Sequence, residues 1–291
     1  MSAIKNAVRV VAMPGRHVYH QPQHAKPASE DTMIDYRGTT VLVTGAASGI
    51  GKAMATAIAA RGANLVLADV NADGVKKAAG EIGGHAIVCD LADPHAPARL
   101  IDEAYARNGR IDLVCSNAGI GHRRRVLKET IDAEMERLFA INFFAGVRLA
   151  QAYVAKLQGG ARGRILFTAS ENSLSVPEAV RNSRIGFYAA TKHSLLIVVE
   201  WMKAEMGDTP LDLHVLMPGA VYTPLIAAAM PDPANAPKEL ELIMPERCAE
   251  IALKGMDLGL FYIPTQPHLA ADMIPRTQGV QDALKTLGLM G

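Results

Sequence analysis

Cysteine is scarce: the chain has three, Cys89, Cys115 and Cys248, in 291 residues. Their separations match neither a pairing pattern nor a metal-ligand spacing. That argues against a disulfide scaffold or a metal centre, and for a reducing compartment. Charge of one sign is lacking too, since 30 Lys and Arg oppose 29 Asp and Glu. Such a balance argues against a dedicated nucleic-acid binder or a protein held on membranes by a basic surface. No run of about 18 apolar residues occurs, so no membrane span is expected. The most apolar stretch, Leu195–Val199, is closed by Glu200. Together these absences predict a cytoplasmic protein. What the chain does have is apolar content, 49% of its residues, which suffices for a large core and excludes a wholly disordered chain.

Residues 1–36 differ from the rest. They hold Lys5, Arg9, Arg16 and Lys26, with no acid before Glu30, and His17, His20 and His24 are interspersed with Pro14, Pro22 and Pro27. The stretch reads as a basic arm, mobile or draped on the surface. Two other readings stay open: an arm packed on a neighbouring subunit, and a basic, acid-poor transit peptide. Pro22 lies between the histidines and argues against a helical metal site.

From Thr39 on, apolar β-rich runs alternate with amphipathic helical ones. Strands are predicted at Thr39–Thr44, Asn64–Asp69, His85–Asp90, Asp112–Ser116, Arg164–Thr168, Asp212–Met217 and Gly259–Pro264. Helices are predicted at Ile50–Arg61, Asp73–Gly80, Pro94–Arg107, Ile131–Leu157, Gly186–Met206 and Pro245–Met256. Apolar strands separated by helices predict an α/β fold, a parallel sheet covered on both faces. No linker or repeat interrupts the pattern, so one domain is expected.

Two local patterns carry chemistry. The first is Thr44-Gly-Ala-Ala-Ser-Gly-Ile-Gly51, between a strand and a helix. A pyrophosphate approaches the backbone N–H groups of a helix N-terminus only where side chains do not block it, hence the glycines. Asp69 ends the next strand, eighteen residues after Gly51. A carboxylate there can bond both hydroxyls of an adenosine ribose and repels a 2′-phosphate. Two like charges at about 4 Å and an effective dielectric near 20 cost at most about 4 kcal/mol, which predicts NAD over NADP. The alternative is that Asp69 only caps the loop. Lys52 is read as facing solvent rather than phosphate.

The second pattern is Tyr188 and Lys192, four apart at the start of a helix and so on one face. A free phenol, with a pKa of about 10, is a poor base at neutral pH. A neighbouring ammonium favours phenolate and is expected to lower that value. Tuned in this way, the phenol becomes the acid/base that alcohol oxidation needs. Upstream, the strand Arg164–Thr168 runs into Ala169-Ser170, which puts a hydroxyl at the carboxyl edge of the sheet, where open α/β folds bind ligands.

Taken together, TGAASGIG at 44–51, Asp69, Asp90-Leu91, Asn117-Ala118-Gly119, Asn142, Ser170, Tyr188-Ala-Ala-Thr-Lys192 and Pro218-Gly219-Ala-Val-Tyr-Thr223 resemble the short-chain dehydrogenase/reductase family over about residues 38–264. The resemblance implies a single-domain Rossmann-type, doubly wound parallel sheet of about seven strands. It implies an NAD-dependent oxidoreductase that interconverts a secondary alcohol and a ketone, with no metal. Tyr188 would be the proton donor and acceptor, and Ser170 would bond the substrate oxygen. Lys192 would hold the nicotinamide ribose and tune Tyr188, and Asn142 would support a water that relays protons through Lys192. Gly45, Ser48, Gly49, Ile50, Gly51, Asp69, Asp90, Leu91, Asn117, Tyr188, Lys192, Pro218, Gly219, Val221 and Thr223 would line the cofactor. The domain would span 37–265, with a substrate lid at about 224–244 and a tail at 266–291 that is ordered at best in part. The resemblance also implies a homodimer or homotetramer paired through the helices Ile131–Leu157 and Gly186–Met206.

The chain departs from the pattern between Ser170 and Tyr188, where Glu178–Arg184 looks inserted, so Ser173 and Ser175 are rival hydroxyls. Ser170 is preferred because it follows the strand directly. Glu171 is expected to be a solvated loop carboxylate, and Arg123-Arg124-Arg125 a solvated charge run. The lid carries Leu225, Ile226, Met230, Leu240, Leu242, Ile243 and Met244, which suggests a hydrophobic or aromatic substrate. A non-catalytic dinucleotide sensor or scaffold is disfavoured because Asn142, Ser170, Tyr188 and Lys192 are all present. An epimerase or dehydratase is disfavoured because little chain remains for a second substrate domain.

Overall fold

The computed structural model describes residues 33–157 and 162–290; the arm's basic residues and its three histidines, at 1–32, lie outside the described residues. Seven parallel strands form one sheet in the order β3-β2-β1-β4-β5-β6-β7. They are β1 (Thr40–Thr44), β2 (Asn64–Asp69), β3 (His85–Val88), β4 (Leu113–Ser116), β5 (Gly163–Thr168), β6 (Leu211–Met217) and β7 (Tyr262–Pro264). The helices between them are α1 (Gly49–Ala59), α2 (Ala72–Ile82), α3 (Ala96–Asn108), α4 (Ala133–Phe139), α5 (Ala145–Val154), α6 (Gly186–Glu205), α7 (Pro224–Ala227), α8 (Pro245–Asp257) and α9 (Leu269–Thr286).

The strands are buried on both faces, which is why they read as continuous apolar runs. Alternation along β1 divides the core in two. Val41 and Val43 join Met54, Ile58, Leu65 and Leu253 beneath α1, α2 and α8. Leu42 joins Val66, Leu100, Leu149, Phe167 and Val199 beneath α3, α5 and α6. Sheet growth reverses between β1 and β4, which are paired Val43 to Cys115. The loops leaving those two strands therefore diverge, and a crevice opens at their carboxyl ends.

Four departures from the sequence reading emerge. The helix expected over Ile131–Leu157 is not continuous: α4 passes into a π turn, Ala140–Phe144, before α5 begins. The apolar spacing continues through such a turn, so periodicity does not reveal it. The last strand shrinks from Gly259–Pro264 to three residues, because only these pair with β6. The tail, read as poorly ordered, is the eighteen-residue helix α9, largely exposed apart from its first residue, Leu269. Tyr36, grouped with the arm by sequence, is a core residue of the α1 face.

One buried hydroxyl joins the two strands at the reversal. Thr44 Oγ1 accepts from the backbone N–H groups of Asn117 (3.0 Å) and Ala118 (3.1 Å) and donates to Cys115 O. Thr44→Val keeps the shape but leaves two buried donors unpaired. It is expected to cost about 1–3 kcal/mol in urea-denaturation midpoints, against within about 0.5 kcal/mol for Thr56→Val, whose hydroxyl is exposed on α1 and bonds Lys52 O.

Candidate active site

The turn after β1 is shaped by what its glycines exclude. Gly45 and Gly49 have φ of 66° and 54°, values that L side chains rarely adopt. A Cβ on Gly51 would strike Gly45 O, so a glycine here lets the first turn of α1 close on the loop. Ser48 is the N-cap of α1, yet its side chain makes no capping bond. The first N–H groups of α1 are thus left without a capping side chain beside an open glycine turn, which fits a phosphate group. A Cβ on Gly49 would lie 2.9 Å from Thr223 Cγ2, so the segment after β6 crosses over the same turn. Lys52 pairs with Glu81 at 2.6 Å rather than facing open solvent.

Asp69 is fixed by two backbone bonds. Its Oδ2 accepts from Ala47 N (3.0 Å) and its Oδ1 from Asn71 N (2.9 Å). The carboxylate does cap the loop, and it is also anchored directly beside the glycine turn. Asp90 is engaged by Arg137 at 3.1 Å and by Ala92 N, and Leu91 is buried in the core.

Asn117 ties the crevice together. Its Nδ2 donates to Thr44 O at 3.1 Å, and its Oδ1 accepts from Thr168 Oγ1 at 3.2 Å. Thr168, the last residue of β5, also offers its carbonyl to Lys192 Nζ at 2.7 Å. Lys192 is 3% exposed, and burial pulls its ammonium down to about 8. Its Nζ also lies 5.9 Å from the centre of the Tyr188 ring. Asn142 sits in the π turn, where its Nδ2 donates to Ile120 O and Thr191 Oγ1 and its Oδ1 accepts from Ile120 N. Thr191 in turn donates to Tyr188 O at 2.7 Å. A Cβ on Gly119 would lie 3.4 Å from both Asn142 Oδ1 and Lys192 Nζ, so this glycine admits both groups to one spot.

Ser170 is buried near enough to the Tyr188 side chain to lower its pKa, and its Oγ lies 3.5 Å from Pro218 O. Its Oγ also accepts from Asn172 N and Nδ2. Of the rivals, Ser173 Oγ is fully buried with no partner and Ser175 is 7% exposed; neither is paired with Tyr188. Tyr188 itself runs against expectation. Burial raises its pKa, Glu171 adds to the rise, and Ser170 only partly offsets them. The Lys192 ammonium is directed to Thr168 O.

Sequence reasoning missed a second cluster. Glu171, expected in solvent, is 5% exposed, and its Oε2 lies 2.7 Å from His268 Nε2. Gln266, also buried, accepts from Gly219 N at 2.7 Å and donates to Ala220 O at 3.0 Å. Pro218 O accepts from Glu171 N, and Val221 pairs with Ile243, which brings the two ends of the 224–242 segment together. The signal was absent because the tail lies outside the motif-bearing region. Arg124 is likewise not a solvated charge, since it pairs with Asp132 and Glu134 at 2.6 Å each. A second cavity, of about 440 Å³, opens at the amino ends of β5 and β6 near Arg164 and His214, the edge away from Tyr188.

Comparison with known proteins agrees with this geometry. Residues 39–234 match the short chain dehydrogenase family model. A 1-deoxy-11-beta-hydroxypentalenate dehydrogenase of Streptomyces avermitilis is 35% identical over 78% of this chain and 84% of its own length. A 2,5-dichloro-2,5-cyclohexadiene-1,4-diol dehydrogenase of Sphingobium indicum is 31% identical over 73% and 84%. Among solved structures, a short chain dehydrogenase/reductase from Burkholderia phymatum in complex with NAD superposes with a TM-score of 0.74 at 22% identity, over 86% of this chain and 96% of that one. A short-chain dehydrogenase from Sphingobium yanoikuyae in complex with NADPH superposes with a TM-score of 0.69 at 26% identity, over 85% and 95%. The chain therefore belongs to the short-chain dehydrogenase/reductase family and is an NAD(P)-dependent oxidoreductase acting on CH–OH groups.

Proposed function

We propose that the enzyme interconverts a secondary alcohol and a ketone on an apolar substrate, and that it prefers NAD to NADP. The observation that carries the reading is the meeting of Tyr188, Ser170 and Lys192 at the carboxyl edge of β5. A bound nicotinamide dinucleotide supplies the hydride acceptor or donor; the protein's residues handle the proton and the orientation. Tyr188 holds the proton that leaves or joins the substrate oxygen, and Ser170 orients that oxygen. Lys192 presents its ammonium to the cofactor ribose, and Asn142, linked to Tyr188 through Thr191, steadies the proton path. Gly45, Ser48, Gly49, Ile50 and Gly51 would receive the pyrophosphate, Asp90, Leu91 and Asn117 would line the adenine side, and Pro218, Gly219, Val221 and Thr223 would line the nicotinamide side.

The NAD preference rests on Asp69. Two backbone N–H donors fix its carboxylate in place, where it would accept from ribose hydroxyls and repel a phosphate. The apolar substrate rests on the lid, where Leu225 packs on Gly121. The relatives named for a hydroxypentalenate and a cyclohexadiene diol fit such a pocket. We infer a homo-oligomer from the apolar side chains left exposed on the π turn and α6: Phe144, Ile197 and Trp201, the last 60% exposed. Among the described residues no helix is long and apolar enough to cross a membrane, which suits a cytoplasmic enzyme.

Two predictions test this reading. Tyr188→Phe is expected to lower kcat about 10²–10⁴-fold in an NADH absorbance assay against a panel of secondary alcohols, and Ser170→Ala to lower it steeply. Ser173→Ala and Ser175→Ala should stay near wild type; a loss in Ser175→Ala alone would move the catalytic hydroxyl. Asp69→Ser should shift the ratio of kcat/KM for NAD over NADP toward NADP by about 10-fold or more, the size expected when a repulsion of a few kcal/mol is removed. A wild-type preference for NADP would overturn the cofactor assignment.

A further inference from the structure

His268 stands between two carboxylates. Its Nε2 lies 2.7 Å from Glu171 Oε2 and its Nδ1 lies 2.7 Å from Glu241 Oε2. An ionised carboxylate only accepts hydrogen bonds, and a neutral imidazole has one N–H. With both carboxylates ionised, both contacts can be good at once only if the ring is an imidazolium. The ends of the bridge are well placed. Glu171 follows Ser170 directly, and its side chain is 6% exposed. A Cβ on Gly219 would lie 2.6 Å from Glu171 Oε2, so the carboxylate also packs on the segment after β6. Glu241 closes the last turn of the lid with φ of 45°, a left-handed conformation unusual for a glutamate. Gln266, two residues before His268, reaches Gly219 N, Ala220 O and Glu241 O. The start of the tail thus joins the Ser170 loop to the lid.

We propose that His268 is a positioning residue, whose imidazolium clamps the lid through Glu241 to the Glu171 carboxylate beside Ser170 and so holds the substrate pocket closed. This rests on the placement of Ser170 and Tyr188 at the reacting centre. The groups facing the ring come from every element around it: Glu171 from the loop after β5, Glu178 from the inserted turn, Glu239 and Glu241 from the lid, and Asp272 from α9. Glu178, Glu239, His268 and Asp272 line one cavity of about 400 Å³, and Tyr188 lies beyond Glu171. In that acidic setting burial disfavours the charged ring, but the hydrogen bonds to Glu171 and Glu241 outweigh it and raise the His268 pKa. The sign follows. A histidine with a raised pKa keeps its second proton to higher pH than a free imidazole and loses it as pH rises through the raised value. One 2.7 Å contact then sets a lone pair against a carboxylate, and the lid is released.

The test is amide hydrogen exchange of lid residues 224–241 in the full-length enzyme at pH 6–9, corrected for intrinsic exchange, alongside steady-state kinetics. In the wild type, lid protection should fall and substrate KM should rise as pH increases, while the dinucleotide KM moves far less. His268→Gln, which carries no charge and has both its donors on one nitrogen, should exchange about 10-fold faster at pH 6 and lose the pH dependence. Its substrate KM should rise more than its kcat falls. Glu241→Gln keeps an acceptor but loses the charge, and should fall between the two. Wild-type lid exchange that is flat with pH, or a His268→Gln lid as protected as the wild-type lid, would overturn the clamp. Should His268→Gln fail to fold, the wild-type exchange profile still decides. Tyr188→Phe should leave lid exchange unchanged, so a failed clamp and a failed catalytic assignment give different results.

Discussion

A buried ammonium resting on a strand-end carbonyl holds this site together. Lys192 Nζ donates to Thr168 O at 2.7 Å and is almost without solvent. Burying a cation is costly unless it finds a hydrogen-bond partner. The only way for α6 to bring this lysine down to the sheet is to pack its first turns against the end of β5. That fixes the rotation of α6 about its axis, and therefore the face on which Tyr188 stands one turn earlier. The same contact directs Thr168 O to α6 while Thr168 Oγ1 points to Asn117, so α6, β5 and the β1–β4 crevice are joined through a single residue.

From that residue the polar network runs toward the cofactor side, through Asn117 to Thr44 and the glycine turn. On α6, Thr191, next to Lys192 in the chain, links Tyr188 O to Asn142 and so to the backbone of Ile120. The π turn matters here. It adds a residue to the helical circuit at Ala140–Phe144 and rotates Asn142 into the sheet edge without ending the helix. A plain α-helix over the same span would present a different residue there.

The fold was legible because its signals are local and repeated. Every strand of the sheet was placed by an apolar run, and β2 to the residue, since parallel strands buried on both faces need such runs. The glycine turn, Asp69, Ser170, Tyr188 and Lys192 were legible because each chemistry demands a residue type at a fixed place on a strand or helix end. Glu171, Gln266 and His268 were not, because their meeting depends on where the tail returns. A lone glutamate in a loop reads as solvated, and nothing in the sequence around His268 says that it lies 2.7 Å from a residue 97 positions earlier. The direction of the Tyr188 shift was misread for a related reason: helical spacing reveals a neighbouring lysine but not how far both groups are removed from water.

That removal has a consequence for direction. One cause, burial, acts on both partners, raising the phenol's pKa and lowering the ammonium's. Each shift favours the neutral form, so the protein by itself is arranged for a protonated tyrosine. A protonated phenol is the form that delivers a proton to a carbonyl oxygen as hydride arrives. Oxidation of an alcohol needs the phenolate, which burial and the adjacent Glu171 both oppose. A positive charge brought close to Tyr188, or one that neutralises Glu171, lowers the cost of that phenolate. A protonated His268 is of the second kind, since its Nε2 lies 2.7 Å from the Glu171 carboxylate that raises the Tyr188 pKa. Glu171 therefore faces both ways: its carboxylate bonds His268, and the same carboxylate raises the Tyr188 pKa.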